Sequence, residues 1–304
     1  MDSNRRLSGT KVVLLLLMLG AGLLLSQQLS RSIAQQMAAG EQARAEQAAR
    51  RMTATFMLLL DAANGPLRSL ATLFNGSGRV SDKEFAATVE FIASQGTPLP
   101  GGLGFLMPST AAGCETPDDC WVVVYSTNAD GLLKPGAQLS RFGPTNSTIA
   151  AALTEEDTLT IGPAFHQANG EQSSFCAVTI RNTRQFGILV SRVDYAALVE
   201  QLFQRWEISG LQLRLEGAFP DGQGMTDFAM IFGAAEAPPG TVRSFVLTDA
   251  ASEARFRFTW DVLPGFSAAL AGWLPGAMLA AGVLITGLVT LLVGLWLTRG
   301  RGVG

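Results

Sequence analysis

Residues Leu274 to Leu297 read LPGAMLAAGVLITGLVTLLVGLWL, without one charged side chain, and Arg299 and Arg301 follow at once. A bilayer's hydrocarbon core is about 30 Å thick and takes roughly 20 helical residues to cross, which this stretch supplies. The other end of the chain holds a counterpart. Val12 to Leu25, VVLLLLMLGAGLLL, is unbroken apolar sequence preceded by Arg5, Arg6 and Lys11. Extended to Leu29, this first span is short but admissible. An apolar run after a basic start also fits the hydrophobic region of a secretory signal, with Ser32-Ile33-Ala34 as a small-x-small cleavage site. That site lies well beyond Leu25, with Gln27, Gln28, Ser30 and Arg31 between, so an uncleaved anchor is the expectation. Basic residues flank the first span on its N-terminal side and the second on its C-terminal side, which places both termini in the cytoplasm. The expected protein is two-pass in the inner (cell) membrane, with its central domain periplasmic or extracellular.

The composition narrows the partners. The net charge is −3, and the 22 Lys and Arg residues form no dense basic block, so the electrostatic footprint of a nucleic-acid binder is missing. His166 is the single histidine, which removes the usual Ser-His-Asp and paired-histidine metal sites. It reads as a polar residue at a strand–loop junction. The acids Glu155, Glu156 and Asp157 are contiguous and point to different faces, as in a solvated loop. No glycine-rich phosphate loop is seen. No catalytic residue, metal site or cofactor is expected, and the chain is not read as an enzyme. Of three cysteines, Cys114 and Cys120 bracket the turn-prone ETPDD; in an oxidising compartment they are a disulfide candidate, the alternative being two unpaired loop thiols. Cys176, inside FCAVTI, reads as a small core residue.

Along the chain, the stretch from Ser30 to Asn64 is rich in Ala, Gln, Glu, Arg and Met and holds no proline, a helix-favouring composition. Ala45, Ala48, Met52, Thr55 and Leu59 trace one thin apolar stripe at helical spacing. The stripe fits either a dimeric stalk continuing the first span or a helix packed on its own domain. A separate helix is expected after Pro66, through Leu67, Leu70, Leu73 and Phe74. Ser81 with Glu84 three residues on forms a capping box, with Val80 and Phe85 placed as a hydrophobic staple. Short apolar runs then read as strands: 103–107, 121–125, 174–180, 186–190, 211–216, 228–232, 242–247 and 255–260. A short amphipathic helix is expected at 194–203. Strand runs with helices interposed predict an α+β fold with antiparallel sheets. Trp121, Val123 and Tyr125 alternate along one run, which predicts either one wall of a pocket or ordinary sheet core.

The order of these pieces resembles the CHASE domain, the extracellular sensor module of membrane histidine kinases, nucleotide cyclases, diguanylate cyclases and plant cytokinin receptors. The residues that carry the likeness are PLRSLATLF at 66–74, the Val80–Phe85 capping box, GAQL at 136–139, the short helix 147–152, LTIGPAF at 159–165, Val178–Ile180 and GILVSRVDY at 187–195. The resemblance covers about residues 65 to 215. It implies a long stalk helix carrying tandem PAS-like extracytoplasmic lobes, a small ligand in the lobe farther from the membrane, and signalling as a homodimer. It also implies ligand contacts. In the cytokinin receptors an aspartate near the start of the short helix binds the purine; the matching stretch here, Gly143-Pro144-Thr145-Asn146, has no acid, which leaves Thr145 there and points to a different small ligand. A binding threonine in the following strand corresponds to Thr160.

The resulting organisation is a cytoplasmic N-terminus at 1–11, a first transmembrane helix at 12–29, a stalk helix at 30–64, a CHASE-like sensor domain at 65–267, a second transmembrane helix at 268–297 and a cytoplasmic tail at 298–304. The ligand-binding candidates are Thr160, Trp121, Val123, Tyr125 and Thr145. With the chain ending shortly after Leu297, a transmitter domain is expected in a separate membrane partner or in a longer receptor. Small residues Ala277, Ala281, Gly282 and Gly287 in the last span offer close helix packing. The alternative reading is a non-catalytic envelope protein whose outer domain binds another protein.

Overall fold

The computed structural model describes residues 9–94, 101–109, 120–127, 132–139, 143–154, 158–167, 170–182, 184–206, 210–220, 224–233, 241–263, 266 and 274–299. The chain divides into two compact units, Met1–Glu46 with Pro264–Gly304, and Gln47–Leu263. One helix, α1 (Gly9–Gly76), begins in the first unit and ends in the second.

In the first unit the N-terminal part of α1 and the last helix of the chain, Leu274–Arg299, are both long and apolar enough to cross a membrane. They pack antiparallel along a seam of small residues. A Cβ on Gly22 would land on the Thr286 side chain, and one on Gly282 would stand 2.5 Å from Ser26 Oγ. Ser30 donates to the Pro275 carbonyl at 2.9 Å. Close backbone approach without a hydrophobic driving force is how helices associate in lipid. Leu17, Leu24, Leu284 and Trp296 stay on the exposed surface of the pair. Of the small residues singled out in the last span, Gly282 lies on this seam and Gly287 faces open space.

The second unit follows α1 with α2 (Asp82–Ser94), β1 (Leu103–Pro108), β2 (Trp121–Ser126), α3 (Gly143–Thr154), β3 (Thr160–Ile161), β4 (Phe165–His166), β5 (Gln172–Arg181) and β6 (Phe186–Asp194). It continues with α4 (Tyr195–Trp206), β7 (Leu211–Ala218), β8 (Ala229–Phe232), β9 (Thr241–Thr248) and β10 (Arg255–Val262), and the last helix of the chain is α5 (Leu274–Arg299). The first sheet runs β2-β1-β6-β5-β3 with β4 also on β5, and the second runs β8-β7-β10-β9. Every described pairing is antiparallel. The α+β class therefore holds.

The C-terminal half of α1 carries both sheets. On the second sheet, Phe56 packs edge-on to Phe258 at 5.3 Å and to Phe256 at 6.3 Å, and the buried Trp260 indole donates to Thr53 Oγ1 at 2.9 Å. On the first sheet, Phe74 meets Phe105 at 4.5 Å and Phe85 at 6.4 Å. The thin stripe read from the sequence thus continues into a wide buried face through Met52, Phe56, Leu60, Leu67, Leu70 and Phe74.

The helix expected to restart at Pro66 does not: Pro66 lies inside α1. Its ring removes one N–H and so leaves the Ala62 carbonyl without its helical donor, but Ala62 is exposed and water can serve it. Burial of Leu67, Leu70 and Phe74 beyond it holds the helix on course. At its end, Asn182 Nδ2 from the β5–β6 turn donates to the carbonyls of Phe74 at 2.8 Å and Ser77 at 3.0 Å, satisfying groups a helix terminus leaves open.

The capping box is present. Glu84 Oε2 accepts from the Ser81 N–H and hydroxyl, both at 2.8 Å, and Ser81 Oγ accepts from the Glu84 N–H at 3.3 Å. Val80 and Phe85, on either side, are both buried. Strand β6 extends past its expected end to Asp194, where Asp194 Oδ1 accepts from the Ala196 N–H at 3.1 Å and starts α4.

Candidate functional site

The first sheet has two faces, and register assigns each candidate residue to one of them. Leu106 pairs with Val123 and with Ile188, Gly104 with Val190, and Val190 with Ala177. These side chains share the face under α3, where Trp121, Val123, Leu133, Ile149, Ala152, Phe165 and Phe175 close one core cluster. Thr179 fixes α3 there by donating to the Ala152 carbonyl at 2.6 Å. Trp121 is fully buried, with its ring 5.7 Å from Phe186. Of the two roles open to Trp121 and Val123, the packing shows core.

Tyr125 departs from the expected alternation. The β1–β2 register shifts between Phe105 and Leu106, so that Leu106 faces Val123 while Phe105 faces Tyr125. Val124 is the extra residue of a β-bulge, and one extra residue inverts every side chain beyond it. Tyr125 consequently lies on the α1 face, 6.0 Å from the Phe105 ring and 5.8 Å from Phe85, with its hydroxyl donating to the Val80 carbonyl at 3.2 Å. The three residues do not form one wall.

Thr160 pairs with Ala177 and so belongs to the α3 face, but β3 is four strands from β2 in the sheet. At about 4.8 Å per strand that separation is about 19 Å, and the structure does not bring Thr160 together with Trp121. The Thr160 hydroxyl is buried and, among the described residues, has no hydrogen-bond partner. Thr145 falls in the first turn of α3, and its side chain lies outside the described residues. Cys120 is disulfide-bonded and Cys176 is free and buried; Cys114 lies outside the described residues. Among the described residues no group of three or more His, Cys, Asp or Glu side chains is placed to hold a metal.

On the opposite face, toward α1, a cleft of about 450 Å³ opens. Its polar lining is Arg68, Thr72 and Asn75 from α1, with Thr158 from the segment before β3. The apolar part comes from Leu159, Val178 and three alanines, among them Ala250 and Ala251 of the β9–β10 turn. Its volume falls in the range of small-molecule sites. Arg68 Nη1 stands 2.7 Å from Asp61 Oδ1, in a pair with side chains 41% and 57% exposed. Such a pair is readily exchanged for another anion.

Behind the cleft the core is polar. Cys176 and Ser191 pair across β5–β6 on this face, and the Tyr195 hydroxyl donates to Ser174 Oγ at 3.0 Å. Burial pushes the Cys176 thiol far above its ordinary range; the Ser191 hydroxyl draws it back, Asp249 adds to the rise and Arg68 opposes it. Burial likewise raises the Tyr195 phenol, against its bond to Ser174. Neither group ionises at neutral pH. Asn64 is 1% exposed on α1, and among the described residues neither its amide nitrogen nor its oxygen has a partner.

Sequence reasoning did not find the cleft, because its walls come from four segments far apart in the chain.

No family model matches the chain, so the CHASE resemblance gains no support there, and no curated protein matches it. Among solved structures it is similar to the ligand-binding domain of the Pseudomonas aeruginosa PAO1 amino acid chemoreceptor PctC in complex with GABA. That match has 15% identity and a TM-score of 0.42, and covers 69% of this chain and 94% of that one. The periplasmic domain of RsbU from Chlamydia trachomatis matches at 10% identity and a TM-score of 0.33, covering 72% of this chain and 97% of that one. The ligand-binding domain of the Campylobacter jejuni chemoreceptor Tlp3, in complex with 4-methylisoleucine, matches at 12% identity and a TM-score of 0.30, over 80% and 91%. Likenesses at these TM-scores carry no weight for ligand or mechanism.

Proposed function

We propose that this chain is a membrane-anchored sensor whose mixed α+β domain lies outside the membrane, binds a small molecule and passes its binding state to the spans. The observation that carries this is the continuity of α1. A single helix is apolar from Val12 to Leu25 and then, from Met52 to Phe74, forms the buried support of both sheets. A change in how either sheet seats on that helix has a covalent, hydrogen-bonded route toward the span. A ligand shifts such an equilibrium only by its differential affinity for the two arrangements, and a partly polar cleft against α1 is a place where that difference can arise. Arg5, Arg6 and Lys11 at one end and Arg299 and Arg301 at the other support cytoplasmic termini. In this reading the two sheets are the PAS-like lobes of a CHASE-type module, the chain acts as a homodimer, and its task is binding without catalysis.

Two measurements on the full chain test the proposal. Cysteine labelling in intact cells should reach a cysteine placed at Asp82 and miss one placed at Ser3; labelling of both, or of Ser3 alone, would refute the orientation. Native mass spectrometry from nanodiscs should show a dimer carrying a small extra mass that leaves on unfolding. A chain that takes up nothing from a metabolite extract would refute ligand sensing and favour a protein-binding role for the outer domain.

A further inference from the structure

We infer that a second pocket, beside the β9–β10 turn, binds a small zwitterion, with Glu253 holding a protonated amine and Arg255 a carboxylate. This goes beyond the sensor reading and does not depend on the cleft beside α1. The pocket measures about 350 Å³, within the range of small-molecule sites. Helix α3 lines it with Ala151 and Thr154, the β7–β8 connection with Pro220 and Met225, and the turn and the start of β10 with Glu253 and Arg255.

Two opposite charges line this pocket without using each other. Only Ala254 separates Glu253 from Arg255 in the chain, yet among the described residues neither side chain forms an ion pair or a hydrogen bond. The Arg255 guanidinium is a planar fork that matches a carboxylate. Glu253 offers a carboxylate to a cation, and Thr154 adds a neutral acceptor. Its hydroxyl spends its proton on the Ala150 carbonyl at 3.0 Å, so its lone pairs remain to accept from an ammonium N–H. No aromatic ring is among the described lining residues, and a quaternary ammonium is held by aromatic faces. The cation that fits is therefore a protonated amine. Ala151, Pro220 and Met225 leave room for a short aliphatic body between the two charges.

The backbone supplies an independent observation. Glu253 has φ +56° and is the single non-glycine residue at positive φ among the described residues. A side chain is unfavourable there, and turns that need this conformation take glycine or asparagine. The turn is fixed without the Glu253 side chain. The Asp249 N–H donates to the Ala254 carbonyl at 2.8 Å, the Ser252 hydroxyl donates to Asp249 Oδ2, and Ser252 and Ala254 are both buried. A carboxylate that strains its own backbone, adds no bond to its turn and faces a pocket is spent on something other than the fold. Its buried neighbours on both sides hold it in place before a ligand arrives, which lowers the ordering cost of binding.

The test is calorimetric titration of the full chain in nanodiscs with L-valine and its two single-charge analogues, 3-methylbutanoate and 2-methylpropylamine. Valine should bind, and each analogue should bind about tenfold more weakly or worse, because one charge-assisted bond is lost. Glu253→Gly should weaken valine binding about tenfold or more and erase its advantage over 3-methylbutanoate. The same variant should melt about 2–4 °C above the wild type, since glycine takes this φ without strain. Arg255→Gln, at an exposed position, should instead erase the advantage over 2-methylpropylamine, and it guards against an unforeseen folding effect in the first variant. Equal binding of valine and either analogue by the wild type, or valine binding that survives both variants, overturns the assignment. Valine binding that is lost in Arg68→Gln but kept in Glu253→Gly puts the ligand in the cleft beside α1; that also overturns the assignment and leaves the sensor reading standing. A chain that binds none of the three probes overturns it as well.

Discussion

Replacing Thr53 by Val tests whether α1 and the second sheet move as one body, which the sensor reading requires. Thr53 is 2% exposed, Trp260 is fully buried, and the bond between them is 2.9 Å long. Thr53→Val nearly keeps the shape and strands the indole N–H in a dry interior. An unpaired buried donor costs about 1–3 kcal/mol. A domain of this size shifts by about 2–4 °C per kcal/mol, so a fall of roughly 6 °C is expected. Trp260→Phe should cost about 2–3 kcal/mol, through the lost ring volume and the stranded hydroxyl. The double variant strands nothing, so its cost should fall short of the sum by about 1 kcal/mol. Thr55→Val is the control: its partner is the Trp206 indole at 3.3 Å in a partly exposed setting, where water can replace the hydroxyl, and it should shift the midpoint by less than about 1 °C. The assay is thermal unfolding of the full chain in nanodiscs, followed by near-ultraviolet circular dichroism. Additivity of the two single variants within about 0.3 kcal/mol would show that the helix and the sheet are not coupled here.

Other perturbations address different parts of the chain. Gly187→Ala places a Cβ 2.5 Å from the Leu106 carbonyl oxygen of the neighbouring strand, where backbone cannot yield; a loss of about 3 kcal/mol or more is expected in urea unfolding, and a neutral result would contradict the β1–β6 register. Burial raises both the Cys176 thiol and the Tyr195 phenol, so the folded chain keeps protons that the unfolded chain gives up. Their contribution is intact below the ordinary thiol pKa and is lost as pH rises through about 9 and then 10, at about 1.4 kcal/mol per pH unit for each group. Urea midpoints from pH 7 to 11 should show both onsets, and Cys176→Ala should remove the first. Glu84 is held below the usual carboxylate range by its backbone and side-chain bonds to Ser81. Its support is therefore present above that range and lost as pH falls through its lowered pKa. Glu84→Gln should flatten the acid limb of helicity, and an unchanged limb would mean that the box adds nothing. In the first unit, cysteines placed at Leu15 and Gly294, which face each other across the two spans, should cross-link on oxidation, and adding Gly22→Leu should prevent it by forcing Thr286 away; no cross-link in the parent would refute the pairing of the spans.

What the sequence made legible is what depends on neighbours along the chain. The two apolar spans, the Ser81–Glu84 box and the apolar strand runs each declare themselves within a few residues, because hydrophobic length, capping chemistry and alternation are local. Pro66 misled for the same reason. Locally a proline stops a helix, and only the burial of Leu67, Leu70 and Phe74 against a sheet formed later in the chain keeps α1 going.

The candidate site failed at a finer point. Alternation along β2 treats Trp121, Val123 and Tyr125 as equivalent, and it is blind to a single unpaired residue. Val124 takes that role because β2 must match β1 on both sides of Phe105 and Leu106, which no property of β2 alone reveals. Thr160 and Trp121 share a face yet stand at opposite edges of the sheet, since strand order, unlike strand identity, is set by long-range pairing. Asn64 is the opposite case. A carboxamide in the buried stripe of a helix costs free energy in every fold that buries it, so the residue type and its position in the stripe are already informative in the sequence. Among the described residues the fold gives that amide no partner, so the cost stays in the folded chain.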